Sequence, residues 1–438
     1  MARIAVVGGG IAGLSAAWHL AGADDRHQVT LFEAGSYVGG HTHTVDVTLP
    51  DAAGQRVTHG VDTGFLVFNH RTYPNLLALF DTLQVPTAAS DMSFSVQQRQ
   101  AGLEWSGRSL NTVFAQRRNL ARPRFWGMLR EVLRFNRLAT ELAVAGSAEA
   151  LAQSIGDFLD AHHFSETFRA WYFLPMIGCI WSCPTVQMLQ FPVSTLIRFC
   201  HNHGLLQIED RPQWYTVQGG AREYVRRMLP RLADVRLATP VWAVRRDRQL
   251  GGATVFTRHG SETFDVLVLA CHSDQALAVL GPDATEAERA VLGAIRYHPN
   301  RAVLHTDASV LPRRRRAWAA WNYEAAAGAT EASAVCLHYW LNQLQPLPFA
   351  QTVVVSLNPV TPPAAAQVLG EYAYAHPVFD LPALRAQRNV PQLQGVLDTW
   401  FCGAWTGYGF HEDGLRSALG VVDQVRQRLA APAVARAA

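Results

Sequence analysis

Lysine is absent from all 438 residues, so the 38 positive charges are all arginine. No lysine Schiff base and no lysine general base can take part in the chemistry. Charge of any kind is scarce at 17%, and 38 basic against 35 acidic residues leave a net charge of +3. That balance excludes the basic excess of a dedicated nucleic-acid binder, and no nucleic-acid partner is expected. Six cysteines (Cys179, Cys183, Cys200, Cys271, Cys336 and Cys402) are too few and too scattered for a disulfide framework. Free thiols suit a reducing compartment, which makes the cytoplasm the expected location. Cys179 and Cys183 have no second ligand pair nearby, and the pairs His41/His43 and His201/His203 lack a carboxylate cluster at ligand spacing. No metal is expected on these grounds. A membrane-crossing helix needs about 18 consecutive apolar residues. The uncharged apolar stretch at residues 170–197 is broken by Pro175, Pro184 and Pro192 and carries Gln187 and Gln190. The N-terminus shows no cleavable signal pattern.

What is present is globular: 49% of residues are hydrophobic, and the length accommodates two or three domains of roughly 150 residues. Residues 3–7 read as a buried strand that runs straight into Gly8, Gly9 and Gly10, then Ile11, Ala12 and Gly13. A helical pattern follows through Leu14, Ala17 and Leu20, and a second β-rich run, Val29 to Phe32, ends at Glu33. This is a G-x-G-x-x-G turn between strand and helix, with an acidic residue 20 positions after Gly13. Gly8 permits the tight turn, Gly10 lets the backbone approach a pyrophosphate, and Gly13 lets helix and strand pack closely. The helix N-terminus faces phosphate charge, and Glu33 is placed to accept hydrogen bonds from ribose hydroxyls.

Beyond Glu33 and Ala34 the chain continues to Gly39-Gly40-His41-Thr42. Here it resembles the flavin amine oxidase and phytoene desaturase superfamily, whose glycine pair, usually followed by arginine, wraps the FAD pyrophosphate. His41 stands at the arginine position. The resemblance continues at Asp62-Thr63-Gly64-Phe65, similar to the segment beside the isoalloxazine, and at Thr239-Pro240-Val241, whose valine backbone would meet the adenine. At the C-terminal end it rests on Phe401-Cys402-Gly403-Ala404-Trp405 and on Gly409 through Asp413-Gly414-Leu415. Ala404 occupies the family's acidic position, and a helix beginning near Gly414 would aim its free N–H groups at the flavin. The resemblance implies non-covalent FAD. No second glycine fingerprint follows another strand, so a tightly bound nicotinamide is not expected.

The implied architecture is α/β, a Rossmann-type FAD-binding domain with an inserted α+β substrate domain. Residues 1–69, 213–285 and 393–438 are assigned to the first, and 70–212 and 286–392 to the second. Residues after Pro432 are expected to fray. Residues 170–197 are rich in aromatic and aliphatic side chains, among them Trp171, Phe173, Ile177, Trp181 and Phe191. They read either as ordinary core or as the wall of an acyl tunnel. Phe125 to Leu138 combines apolar spacing with Arg130, Arg134 and Arg137, which reads either as a helix packed on its own domain or as an anchor on anionic lipid. The second would make the protein peripheral on the inner membrane face. His411, between Gly409 and Gly414, is the candidate catalytic residue, either orienting substrate or moving a proton, with a plain loop hydrogen bond as the other reading.

Amine oxidases of the superfamily commonly use a lysine that holds a water at the flavin, and this chain has none. A likeness to a bacterial branch of NAD/FAD-binding proteins linked to lipid modification rests on the segment 401–415 and on His298-Pro-Asn-Arg-Ala-Val-Leu-His-Thr-Asp. The expected function is FAD-dependent dehydrogenation of a hydrophobic substrate, foremost a fatty-acyl chain. The expected partner is a lipid methyltransferase. The alternatives are a fatty-acid double-bond isomerase, a flavin-binding partner of a lipid enzyme without its own turnover, and, lowest in rank, an amine oxidase.

Overall fold

A computed structural model describes residues 1–22, 27–146, 153–207, 211–325 and 335–430. The tail after Pro432 lies outside the described residues.

Strand Arg3–Val7 is buried at Ile4, Ala5, Val6 and Val7, as a strand covered on both faces requires. It occupies the centre of a five-stranded sheet in which every pairing is parallel. The order across the sheet is Asp234–Arg236, Gln28–Phe32, Arg3–Val7, Val266–Leu269 and Thr399–Phe401. Helices Ile11–Leu20 and His411–Ala430 pack on each other on one face. On the other lies a core of Phe32, Val244, Val255, Phe264 and Leu269. This core includes the antiparallel strands Ala243–Arg246, Ala253–Thr257 and Gly260–Phe264, together with helices Glu286–Leu292 and Leu381–Asn389. The architecture is the mixed α/β arrangement read from the sequence.

A seven-stranded sheet forms the second layer system. Its order is Val368–Pro377, Tyr297–His305, Val354–Leu357, Cys336–Trp340, Trp321–Ala325, Phe94–Gln98 and Leu103–Ser106. One pairing, Trp321–Ala325 with Phe94–Gln98, is parallel; the others are antiparallel. Alternation along these strands separates two faces. Leu304, Leu337 and Val355 turn into the main core, whereas His305, Glu324, Cys336, His338 and Ser356 form a buried polar layer on the other side.

Residues 169–202 are helical: a π-turn at Arg169–Phe173, then Leu174–Trp181, Thr185–Leu189 and Val193–Asn202. Phe173, Ile177, Met188 and Phe191 are fully buried in the main core. In helix Pro123–Ala145, Phe125, Met128 and Phe135 are likewise fully buried, so its apolar stripe is turned inward. Trp126 and Leu133 stay exposed beside Arg124, Arg130 and Arg137. Among the described residues, no helix is long and apolar enough to cross a membrane.

Candidate functional site: a dinucleotide cradle

The turn after the first strand is built by close backbone approach. Gly8 has φ +108° and donates its N–H to Phe32 O at 2.8 Å, locking the turn to the neighbouring strand. A Cβ on Gly13 would lie 1.8 Å from Gly8 O, so the helix could not reach the strand with any larger residue there. Gly10 is the opposite case: nothing lies within 4 Å of a Cβ built on it. The backbone at the start of helix Ile11–Leu20 therefore faces open space, where helix N–H groups attract an anion. Ile11 and Ala12 are buried beneath it.

Glu33 ends the second strand and ties the cradle together. Its Oε2 accepts from Gly9 N at 2.7 Å and its Oε1 from Gly35 N at 2.6 Å, with Ala34 exposed between them. Thr239 N donates to Glu33 O and Ala238 N to Gly35 O, which brings the Thr239-Pro240-Val241 segment to the same end. Gly39 N donates to Gly9 O at 2.8 Å, and the pair Gly10 and Gly39 form a parallel bridge. The left-handed backbone of Gly40 (φ +58°) then turns the chain into His41.

The Nε2 of His41 is buried without a hydrogen-bond partner. Its ring stacks on Tyr374 at 5.1 Å and lies 5.3 Å from His376 and 6.2 Å from His272. Burial, then His376 and His272, hold its pKa well below the usual histidine range. Tyr372, Tyr374 and His376 project from one face of strand Val368–Pro377. Their alternation in Glu-Tyr-Ala-Tyr-Ala-His is the signal in the sequence that would have found them. His272 follows the strand that pairs with Arg3–Val7, and its ring stacks on Tyr297 at 4.4 Å.

The C-terminal motif closes on the same place. The structure starts its helix at His411 rather than at Gly414, because Glu412 and Asp413 already occupy its first turn. A Cβ on Gly414 would meet Ile11 Cγ2 at 3.0 Å and Ala404 N at 3.5 Å, so this helix meets the first one next to the cradle. Leu415 is buried behind it. Gly403 leads into a short helical turn, Ala404–Thr406, and Ala404 O accepts from Gly409 N at 3.1 Å. Asp413 holds this loop: its Oδ2 accepts from Tyr408 N and Phe410 N at 3.0 and 3.1 Å.

His411 stacks on Phe65 with centroids 3.7 Å apart, and its Nε2 is 2.8 Å from Thr42 Oγ1, which also bonds the Tyr224 hydroxyl. Burial lowers its pKa to about 3, so the imidazole is neutral at physiological pH. Thr42 and Tyr224 are site residues that sequence reasoning did not single out. Phe65 N donates to His41 O at 2.8 Å, and Gly64 is required because a Cβ there would lie 2.3 Å from the same carbonyl. Thr63 Oγ1 bonds His43 Nδ1 and the Tyr374 hydroxyl at 2.8 and 2.7 Å. Asp62 is committed to the protein: it accepts from Ala221 N at 2.9 Å, Gln345 Nε2 at 2.6 Å and Thr44 Oγ1 at 2.5 Å. Burial pushes its pKa up to about 7 against those hydrogen bonds.

The family model for flavin-containing amine oxidoreductases matches residues 11–314, more than half of the chain. This protein belongs to that family. Its cofactor is FAD, held non-covalently, and it is an FAD-dependent oxidoreductase. The residues present fit that cofactor: open Gly10 at a helix N-terminus would admit a phosphate, Glu33 beside it carries a carboxylate of the kind a ribose would meet, and the buried Nε2 of His41 has no partner. No curated protein matches the chain by sequence. Among solved structures it is similar to a cyclohexylamine oxidase from Brevibacterium oxydans, with TM-score 0.68 and 16% identity over 98% of this chain and 99% of that one. A putative protoporphyrinogen oxidase from Exiguobacterium gives 0.66 and 16% over 97% and 99%. A CLA-producing fatty acid isomerase from P. acnes gives 0.65 and 15% over 97% and 98%. At these identities the likeness shows a shared fold.

Two predictions follow from the cradle. Gly10→Ala should fold with an unchanged melting temperature yet lose FAD affinity by ~10-fold or more, because the added methyl occupies the phosphate approach. Gly13→Ala should lower stability itself, by about 1–3 kcal/mol of overpacking; denaturation and flavin fluorescence separate the two effects. The raised Asp62 pKa gives a pH dependence of defined sign. Its contribution to stability is fully present below the unfolded value of 3.8 and is lost as pH rises through about 7. Asp62→Asn should flatten that slope in urea titrations between pH 4 and pH 8; an unchanged slope would assign it to other groups.

Proposed function

We propose that this oxidoreductase dehydrogenates a hydrophobic substrate, foremost a fatty-acyl chain. The observation that carries the reading is the aromatic wall beside His411. Phe410 stacks on Phe199 at 4.9 Å, Phe199 meets Trp181 at 5.2 Å, and Phe191 meets Phe379 at 6.5 Å. His203 stacks on Phe199 at 4.0 Å, and burial lowers its pKa to about 4, so it too is neutral. The rings around His411 and Phe410 thus offer apolar surface and uncharged imidazoles, which suit a methylene chain better than an ammonium group. The absence of lysine points the same way.

FAD, when bound, supplies the two-electron acceptor. The chain's own residues hold, orient and dry the substrate. Phe199, Trp181 and Phe410 exclude water from the reacting carbons, and Thr42 fixes the His411 ring through its Nε2. With so low a pKa, His411 serves to position substrate rather than to store a proton near neutrality.

An anaerobic titration of the yellow protein with unsaturated or methyl-branched acyl phospholipid tests this. Loss of the oxidised flavin band, with a product two hydrogens lighter, is the expected result. No bleaching with any acyl lipid would overturn it. A rearranged product of unchanged mass would instead establish an isomerase, and bleaching by amines an amine oxidase.

The same reading includes peripheral contact with an anionic bilayer through helix Pro123–Ala145. Its inward apolar stripe leaves the contact to Trp126, Leu133, Leu120 and the arginines beside them. The protein should co-sediment with anionic vesicles and not with neutral ones, with each basic residue near the surface contributing about 1 kcal/mol. A Trp126→Ala/Leu133→Ala double variant that binds anionic vesicles as well as the parent would remove this assignment.

A further inference from the structure

The polar layer of the seven-stranded sheet contains a cluster that the flavin chemistry does not use. Glu324 and Cys336 are directly opposite each other on antiparallel strands, and His338 follows Cys336 by two residues, so all three share one face. All are buried: 3%, 2% and 0% exposed. Glu324 Oε2 lies 2.9 Å from His338 Nε2, and Cys336 Sγ lies 3.5 Å from the same nitrogen. Both converge on one atom that carries at most one proton, so the proton can serve only one of them.

We propose that Glu324 Oε2, Cys336 Sγ and His338 Nε2 form a binding site for a divalent cation of the zinc class. Zinc bonds of about 2.3 Å to sulfur and 2.0–2.1 Å to nitrogen put two tetrahedral ligands roughly 3.5 Å apart, matching the separation of Sγ and Nε2. The carboxylate oxygen would have to move away from Nε2 by only a few tenths of an ångström. The mixed sulfur, nitrogen and oxygen set suits a borderline-soft ion and disfavours calcium or magnesium. Three protein donors leave one position for water.

The surroundings provide the outer shell that such a site needs. Asp307 N donates to His305 Nδ1 at 3.1 Å, which puts the His305 proton on Nε2, where it donates to Ser356 Oγ at 2.7 Å. Ser356 Oγ is also 2.7 Å from His338 Nδ1 and accepts a hydrogen bond from its N–H, which leaves Nε2 to hold the ion. Arg99 Nε holds the remaining carboxylate oxygen, Glu324 Oε1, at 2.5 Å. Without an ion, burial disfavours charge on His338, but Cys336 and Glu324 outweigh it and carry its pKa up to about 9. Coordination uses thiolate and neutral imidazole, so the ion displaces the Cys336 thiol proton and the His338 Nε2 proton to solvent and leaves the imidazole proton on Nδ1. This inference departs from the expectation of no metal, because the ligands span two strands and only the Cys-x-His pair is contiguous.

The test uses the intact flavoprotein and does not depend on its substrate. Metal analysis of the purified protein and titration with Co2+ read the site directly. One tightly held equivalent is expected, with ligand-field bands in the red, where oxidised flavin is transparent, and with competition by Zn2+. Cys336→Ser should abolish the bands, and Ser356→Ala should weaken binding by about 10–100-fold while flavin absorbance confirms folding. If Cys336→Ser does not fold, His338→Gln serves in its place. Absence of metal and of any Co2+ spectrum would leave a buried ion pair only and overturn the proposal. So would stoichiometric binding that survives both ligand substitutions.

Discussion

The close approach of helix Ile11–Leu20 to the strand before it is the constraint on which the rest of the flavin side depends. Gly13 permits it, and the helix N-terminus then projects past Gly10 with nothing in front of it. Helix His411–Ala430 uses the same device, reaching Ile11 through Gly414. Two glycines thus set how closely two helices and one strand approach one another. Glu33 completes the arrangement by bonding the N–H groups of Gly9 and Gly35, which fixes the turn before any ligand arrives. Such preorganisation keeps the ordering cost out of the binding step.

The glycine turn, the carboxylate that follows the second strand and the C-terminal helix were legible in the sequence because each has a fixed local spacing. Other residues were not, for a common reason: their neighbours are remote in the chain. Tyr374 and His376 meet His41 across more than three hundred residues, and Thr42 meets Tyr224 across 182 and His411 across 369. Asp62 and Asp413 illustrate a different difficulty. A carboxylate beside a glycine turn has the same pattern whether it faces a ligand or a backbone N–H. Here both spend their oxygens on the protein, Asp62 on Ala221 and Asp413 on Tyr408 and Phe410. The stretch 170–197, ambiguous as core or tunnel from composition, is largely helical and buries Phe173, Ile177, Met188 and Phe191, while its Trp181 meets Phe199, which stacks on Phe410.

The two faces of the seven-stranded sheet divide the labour by chemistry. Leu304, Leu337 and Val355 supply the apolar floor of the main core. On the opposite face, imidazoles, a carboxylate, a thiol and a serine are linked in one hydrogen-bonded layer beneath Val310 and Leu311. A buried layer of this kind is stable only if each donor and acceptor finds its partner. It also favours one strand register, since a slip by one residue would turn the whole set into the hydrocarbon core.

The single parallel pairing in that sheet has a consequence for how the chain comes to be folded. Strand Phe94–Gln98 lies beside Trp321–Ala325, and Ser95 Oγ bonds Asn322 Oδ1 across 227 positions. The first strand of the nucleotide-side sheet likewise shares its layer with Thr399–Phe401, and its helix packs on the last one. Neither sheet can be completed until its last strand, Val368–Pro377 in one and Thr399–Phe401 in the other, has left the ribosome. The early strands must wait with unsatisfied edges, a topology that folds slowly and exposes sticky surface meanwhile. Closure of both sheets therefore waits on residues 368–401, and factors that shield strand edges until then should raise the yield of folded enzyme.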